Sequence, residues 1–341
     1  MKNTKQLIAA LKESFQSANI RQSIERLRTR NRRSRSDTGM SAEHAQKVND
    51  FYDIATDVTQ SAWSQSLHFA PLNSGESLEH AIARHQDLMI EKLRLDQSKY
   101  VADVGCGIGG PMRRVARQSG AKVLLVNNHQ RQLDRAKKLN KEANVDHLAD
   151  YLHCSFLDMN TIPENTFDAA YAIESTMHAS DKILAFEQIQ RILKPGGLFW
   201  CQEFALTDLY DENDPTHQVA VQDLADAIAL GEVFRFEQIG LGLEKAGFNV
   251  LDCKDFALES EVPWYAPFKG GYERSLTSFR VSPFQRSLVV LSARLGEFFR
   301  TVPKGTVDLV KFLDQGAEAY IRAGELGIAT LLCCYLAEKT S

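Results

Sequence analysis

VADVGCGIGGPMRRVA, residues 101–116, passes from a short apolar run through four glycines into a helical pattern. It reads as a strand, a tight loop and a helix N-terminus. Such a corner presents unpaired backbone N–H groups and the positive end of a helix dipole to a ligand. Gly105, Gly107 and Gly110 fit the G-x-G-x-x-G spacing of dinucleotide sites. A nicotinamide site also wants an acidic residue at the end of the second strand. Here AKVLLVNN (121–128) closes on Asn127 and Asn128, and the acidic residue, Asp103, stands before the loop instead.

Outward from this corner the chain alternates. Strands are expected at 100–105, 121–128, 150–156, 167–175, 196–206 and 248–257. Helices are expected at 110–119, 130–144, 181–193 and 232–246. Strand–helix alternation means right-handed βαβ units and a largely parallel sheet, an α/β fold whose ligands bind at the carboxyl ends of the strands. Beyond about 268 the alternation stops, and 275–339 reads as mostly helical through Leu288, Val289, Leu291, Leu295, Phe298, Phe299, Leu309, Val310, Phe312 and Leu313.

With 341 residues, 44% hydrophobic, the chain can hold one large domain or two modest ones. A net charge of -4 argues against nucleic-acid binding. The six cysteines show no metal-ligand spacing and read as reduced thiols, which with the absence of a signal-like N-terminus suggests a cytoplasmic protein. Residues 3–27 carry apolar positions at helical period and run into the basic RLRTRNRRSRSDTG (26–39). That combination admits peripheral contact with an anionic membrane. TDLYDENDPTH (207–217) is rich in oxygen ligands but lacks calcium-loop spacing, so no metal is expected.

The pattern D-x-G-x-G-x-G, made by Asp103, Gly105, Gly107 and Gly109, resembles motif I of class I S-adenosylmethionine methyltransferases. ILKPGGLFWCQE (192–203) is similar to the late helix–turn–strand motif of the same group. A closer likeness runs through SLHFAPLNSGESLEHAIARHQ (66–86), VGCGIGGPMRRVA, NNHQRQLDRAK, FDAAYAIESTMHAS, TDLYDENDPTH and EVPWYAPF. In order, these resemble the sterol 24-C-methyltransferase family over about 51 to 268. The likeness implies a Rossmann-like class I sheet with helices on both faces and a mostly helical C-terminal substrate region. It divides the chain into an extension (1–40), a methyltransferase domain (41–268) and a helical tail (269–341). It also implies transfer of a methyl group from S-adenosylmethionine to a side-chain alkene of a sterol or related isoprenoid lipid, and it admits a homo-oligomer. The chain departs from the family at TQSAWS (59–64), where only Trp63 remains of an aromatic and acidic cluster, and at Cys154-Ser155-Phe156 in place of Gly-Asp-Phe.

On this reading the cofactor residues are Asp103, Gly105, Gly107, Gly109, Asn127, Asn128, Gln132, Phe156 and Glu174. Asp103 would hold the cofactor's ammonium, and Asn127 or Asn128 its ribose. A side chain at Gly105 or Gly107 would fill the space that the ligand needs. An alkene is a weak nucleophile, so it must be aligned in a dry site, and its attack leaves a carbocation that aromatic faces can stabilise. Trp63 and Tyr171 are the aromatics expected at the chemistry. His68, Phe69, Tyr210, Trp264 and Tyr265, together with Trp63, are expected around the substrate. A base must then take a proton. His178 and Glu174 come first, four apart and sharing a face if that turn is helical, followed by Glu203 and Asp208.

Overall fold

The computed structural model describes residues 23–24, 40–269 and 283–340. The amphipathic and basic segment 3–35 lies outside the described residues apart from Ser23 and Ile24. Two helices precede the sheet, α1 (Met40–Ala62) and α2 (Leu78–Lys92), the second capped by Ser77, whose side chain accepts from the His80 amide. The alternating region then follows closely the order read from the sequence. It runs β1 (Tyr100–Val104), α3 (Gly110–Ser119), β2 (Lys122–Asn127), α4 (Gln130–Glu142), β3 (Ala149–His153), β4 (Phe167–Ile173), α5 (Lys182–Ile192) and β5 (Leu193–Leu206). After β5 come α6 (Pro215–Ala227), α7 (Phe236–Lys245) and β6 (Phe248–Asp255). The chain closes with α8 (Pro283–Phe298), α9 (Thr306–Glu325) and β7 (Ala329–Lys339).

The seven strands lie in the order β3-β2-β1-β4-β5-β7-β6. β7 is antiparallel to both β5 and β6, so it alone runs against the rest. The chain reverses its direction of travel across the sheet between β1 and β4, and the ends of these two strands form the crevice where such sheets bind ligands. The strands β1, β2, β4, β5 and β7 are buried on both faces over most of their length, which is why their sequences lack clean alternation, whereas the outer strands β3 and β6 are half-buried to exposed. Phe199, Cys201 and Ala205 of β5 meet Phe186 and Ile189 of α5 and Leu243 of α7 on one face. Leu198 and Trp200 meet Met89 of α2 and Met112 and Val115 of α3 on the other.

The tail departs from its expected helical character at its end. It is helical through α8 and α9, but its last stretch, ATLLCCYLAEK, is the strand β7. An unbroken apolar run has no period, so a buried strand and a buried helix look alike in it. Gly327, in the left-handed region at φ +69°, marks the turn out of α9. The packing units are also interleaved in sequence rather than divided at 268/269. One unit holds the whole sheet with α2 to α5 and α7, and the other gathers α1, α6, α8 and α9.

Removal of residues 329–341 would leave β5 and β6 without their shared partner and expose two long edges. The truncated chain is expected to lose the cooperative thermal transition of the full chain in far-UV circular dichroism. A native-like melt of the truncated chain would contradict the placement of β7.

Candidate active site at the ends of β1, β4 and β5

The glycine loop leaves β1 with Gly105, Gly107 and Gly109 all at positive φ (+79°, +54° and +73°). Each glycine has a different physical reason. A Cβ on Gly105 would lie 2.3 Å from the Ser175 Cβ, so this glycine admits the loop after β4 and not a ligand, a correction to the sequence reading. A Cβ on Gly109 would press on Leu125 at 3.0 Å and Ala136 at 3.3 Å. A Cβ on Gly107 would meet nothing within 4 Å, so this is the glycine that faces open space. Among the described residues no group accepts a hydrogen bond from the Gly107 or Ile108 amide. Two free donors beside the N-terminus of α3 suit a carboxylate.

Asp103 lies opposite Tyr171 in the β1–β4 register, on the same face, and its Oδ2 accepts from the Tyr171 hydroxyl at 3.0 Å. Burial pushes the Asp103 carboxyl up to about 7, opposed by that hydrogen bond and by the charge of Arg113. Tyr171 is wholly buried in the core with its hydroxyl committed to Asp103, so its ring face is closed to a substrate, contrary to the role expected of it. Arg113 is a residue that the sequence reading missed. Buried on α3, it donates to the Ile108 carbonyl (2.8 Å), Asn140 Oδ1 (3.0 Å) and the Gln65 carbonyl (3.3 Å), and so fixes the glycine loop to its surroundings. The signal was a cation among the apolar Met112, Val115 and Ala116.

At the end of β2, Asn127 is occupied by the protein. Its Nδ2 donates to Gln132 Oε1 at 2.9 Å and its Oδ1 accepts from the His129 amide at 3.3 Å. Asn127 and Gln132 therefore hold each other and shape the crevice wall. The half-buried Asn128 side chain makes no hydrogen bond among the described residues and is the polar group available there. Phe156 is half-buried against the core on the α5 and α7 side. A carboxylate, free loop amides, an open glycine and an unspent Asn fit a ligand that carries an amino-acid moiety and a nucleoside.

The second part of the site is a buried polar network. Residues 65–66 cross the start of α3 so closely that a Cβ on Gly110 would lie 2.3 Å from the Gln65 carbonyl oxygen. Gln86 of α2 donates to Ser66 Oγ (2.9 Å) and His68 Nε2 (2.8 Å). His68 Nδ1 in turn donates to the Phe69 carbonyl at 2.7 Å, and burial holds this imidazole neutral, down to about 4. The Phe69 amide donates to Glu174 Oε1 at 2.6 Å, and Gln202 Nε2 donates to the same oxygen at 2.8 Å. No group among the described residues hydrogen-bonds the second Glu174 oxygen. Burial, aided by the charge of Glu203, raises the Glu174 carboxyl to about 8 against those two neutral donors. Glu174 sits in left-handed backbone at φ +51°, a strain of the kind that concentrates at functional sites.

The other base candidates divide. His178 is buried at the end of a single 3-10 turn, Thr176–His178, so the α-helical spacing that would put it on one face with Glu174 is not formed. Glu203 is fully buried, ion-paired to Lys182 at 2.7 Å and bonded by the Thr176 hydroxyl. It is an anchor and not an available base. Asp208 is exposed on the loop after β5. Of the aromatics, Trp264 is buried edge-on to Phe69 (centroids 5.4 Å apart, 86°), the residue whose backbone amide donates to Glu174. The remaining three belong to the helical unit. There Trp63 stacks on Phe268 (5.1 Å), which stacks on Tyr320 (4.9 Å). Tyr265 fills the space above Gly324, and Tyr210 stacks on His217.

The methyltransferase domain family matches residues 102–201, and the sterol methyltransferase C-terminal family matches residues 276–339. The chain is 37% identical over 298 residues to cycloartenol-C-24-methyltransferase of Arabidopsis thaliana, covering 87% of this chain and 88% of that protein. It is 32% identical to sterol 24-C-methyltransferase of Saccharomyces cerevisiae, covering 87% of this chain and 79% of that one. Among solved structures, a mycolic acid cyclopropane synthase shares the fold with a TM-score of 0.66 at 14% identity, over 87% of this chain and 98% of its own.

Two outcomes follow for the cofactor end. Gly107→Val is expected to abolish S-adenosylmethionine binding in calorimetry while the chain still folds, its melting temperature lowered only by the strain of a side chain at positive φ. Gly105→Val should lower the melting temperature further, through its added collision with Ser175, and equal cofactor affinity in Gly107→Val would contradict the assignment. Asp103 must be ionised to hold an ammonium. Affinity should therefore fall as pH drops below about 7, approaching tenfold per unit, and Asp103→Asn should bind weakly with that pH dependence removed.

Proposed function

The chain belongs to the sterol 24-C-methyltransferase family, and from that membership we propose that this S-adenosylmethionine-dependent enzyme methylates the C-24 side-chain alkene of a Δ24 sterol, with Glu174 as the proton acceptor. The observation that carries the reading is the Glu174 carboxyl. It is buried, raised to about 8 and hydrogen-bonded through one oxygen only, by the backbone amide of Phe69, whose ring meets Trp264, and by Gln202.

When bound, S-adenosylmethionine supplies an electrophilic methyl group on a sulfonium centre. The π electrons of the substrate alkene would form the new carbon–carbon bond as the methyl–sulfur bond breaks, its electron pair leaving on the neutral thioether, and positive charge would be left on the side chain. In this reading the Phe69 and Trp264 rings stabilise this charge without competing as nucleophiles. The form of Glu174 that acts is the carboxylate, its proton already released to solvent and its population growing as pH approaches about 8, and this anion stabilises the nearby cation. The Glu174 carboxylate then takes a proton from carbon, and the C–H pair becomes the new double bond. Asp103, Asn128 and the Gly107 and Ile108 amides bind and orient the cofactor. His178 is the alternative acceptor.

The test is a product analysis with methyl-labelled cofactor and a panel of Δ24 sterols, their saturated analogues, squalene and tocopherol-type phenols. Δ24 sterols should be methylated on carbon, and saturated analogues should not react. Phe69→Leu or Trp264→Leu should slow transfer by roughly two- to thirty-fold, the rate equivalent of about 0.5–2 kcal/mol. Glu174→Gln should divert the cation to methylated alcohols or isomeric alkenes. Methylation of the phenols alone, or of saturated sterols, would overturn the substrate assignment. A wild-type product profile from Glu174→Gln would move the base to His178.

A further inference from the structure

Gln202 sits at the centre of the polar network, on β5 between Ile173 of β4 and Cys334 of β7. Its side-chain nitrogen faces three oxygens, Glu174 Oε1 at 2.8 Å, the Leu331 carbonyl at 3.1 Å and the Phe69 carbonyl at 3.2 Å. On its other side the Gln202 oxygen faces His85 Nε2 at 3.0 Å. An amide turned the other way would set its oxygen against all three acceptors. The amide orientation therefore requires a donor at His85 Nε2.

His85 is built to supply that donor and nothing more. It is buried, with its ring edge-on to Phe256 (5.4 Å) and Trp200 (6.1 Å). Its Nδ1 has no hydrogen-bond partner among the described residues. A proton on Nδ1 would be a buried donor without an acceptor, so the neutral ring carries its single proton on Nε2. Burial holds the ring neutral, its pKa down to about 3, which keeps that tautomer in place over the working pH range. Cys334 Sγ lies 3.8 Å from the same nitrogen, and burial raises that thiol well above its usual range, so it adds no charge.

We propose that His85 is a positioning residue for proton transfer at Glu174, acting through the Gln202 amide, which it fixes with the N–H side toward the Glu174 carboxylate. The proposal rests on the reading of Glu174 as the proton acceptor. The ionisable groups around Glu174 are Glu203 with its Lys182 partner, neutral His68, neutral His85 and the Cys334 thiol. None of these donates a hydrogen bond to Glu174. The two donors are the Phe69 amide, fixed by the backbone, and the Gln202 amide, fixed by His85. A hydrogen bond to the charged form of an acid favours ionisation, so release of the Gln202 amide makes Glu174 a poorer carboxylate at neutral pH.

The experiment is the pH profile of kcat/KM for the parent, His85→Phe, His85→Gln, Gln202→Glu and Glu174→Gln, with calorimetric cofactor affinity for each. The parent should show a limb that rises with pH near 8 and is absent in Glu174→Gln. His85→Phe keeps an apolar ring between Trp200 and Phe256 but donates nothing, and its limb should move up by about one pH unit, with cofactor affinity unchanged. His85→Gln restores a donor and should return the limb toward the parent position. Gln202→Glu turns an acceptor toward Glu174 and should shift the limb upward at least as far, which keeps the test decisive if His85→Phe does not fold. A uniform loss of rate at every pH in His85→Phe and Gln202→Glu, with the limb in place, would overturn the positioning role and leave the Glu174 reading intact. A limb that persists in Glu174→Gln would overturn that reading, and this proposal with it.

Discussion

The crevice at the ends of β1 and β4 is fastened at one buried contact, the Glu174 carboxyl between the Phe69 amide at 2.6 Å and the Gln202 amide at 2.8 Å. Through Phe69 it holds the segment that crosses α3. Through Gln202 it reaches β5 and the Leu331 carbonyl of β7. The next residue, Ser175, donates to the Val104 carbonyl at 2.6 Å and fills the space over Gly105. Two consecutive side chains after β4 thus fix the glycine loop on one side and the crossing segment on the other. The left-handed backbone at Glu174 is the local cost of pointing them in these directions.

Glu174 and Glu203 show how environment separates two buried carboxyls. Glu203 meets a cation, Lys182, at 2.7 Å, together with a hydroxyl. Removing either partner of such a pair strands a charge in the interior, typically at a cost of about 3–5 kcal/mol. Glu174 meets only neutral donors, so burial dominates and its proton is held to about 8. One carboxyl is ion-paired and structural. The other is poised to change its proton as charge develops beside it, the arrangement by which enzymes obtain acid and base chemistry from the same residue type. A cation in the site and the ionised form of this carboxyl are complementary, because the carboxylate stabilises the charge that it then removes as a proton.

Much of this was legible in the sequence. The glycine loop, the strand–helix alternation and the acidic residue before the loop located the crevice, because turns and periodicity are local properties. The family likeness at FDAAYAIESTMHAS brought Glu174 and His178 into consideration. What could not be read were features set by pairing across the sheet. β7 is an apolar run without a period, and only its position between β5 and β6 makes it a strand. Tyr171 looked like a substrate aromatic because the sequence does not reveal that register sets it against Asp103. Glu203 looked like a base because the sequence does not reveal Lys182 beside it. Gln202, His85 and Arg113 carried only the weak signal of polar side chains in apolar surroundings, and their partners lie far away along the chain.

The central claim is that a single buried carboxyl, Glu174, holds its proton up to about pH 8 and, once ionised, can take one from the substrate. The most direct measurement is a carboxyl-carbon NMR titration of the full chain with 13C-labelled glutamate, assigned by comparison with Glu174→Gln. The account predicts one resonance that titrates near pH 8 and vanishes in that variant. If the resonance lost in Glu174→Gln instead titrates in the ordinary carboxylate range, near 4 to 5, the carboxyl is not held as described, and the assignment of Glu174 as the proton acceptor is contradicted.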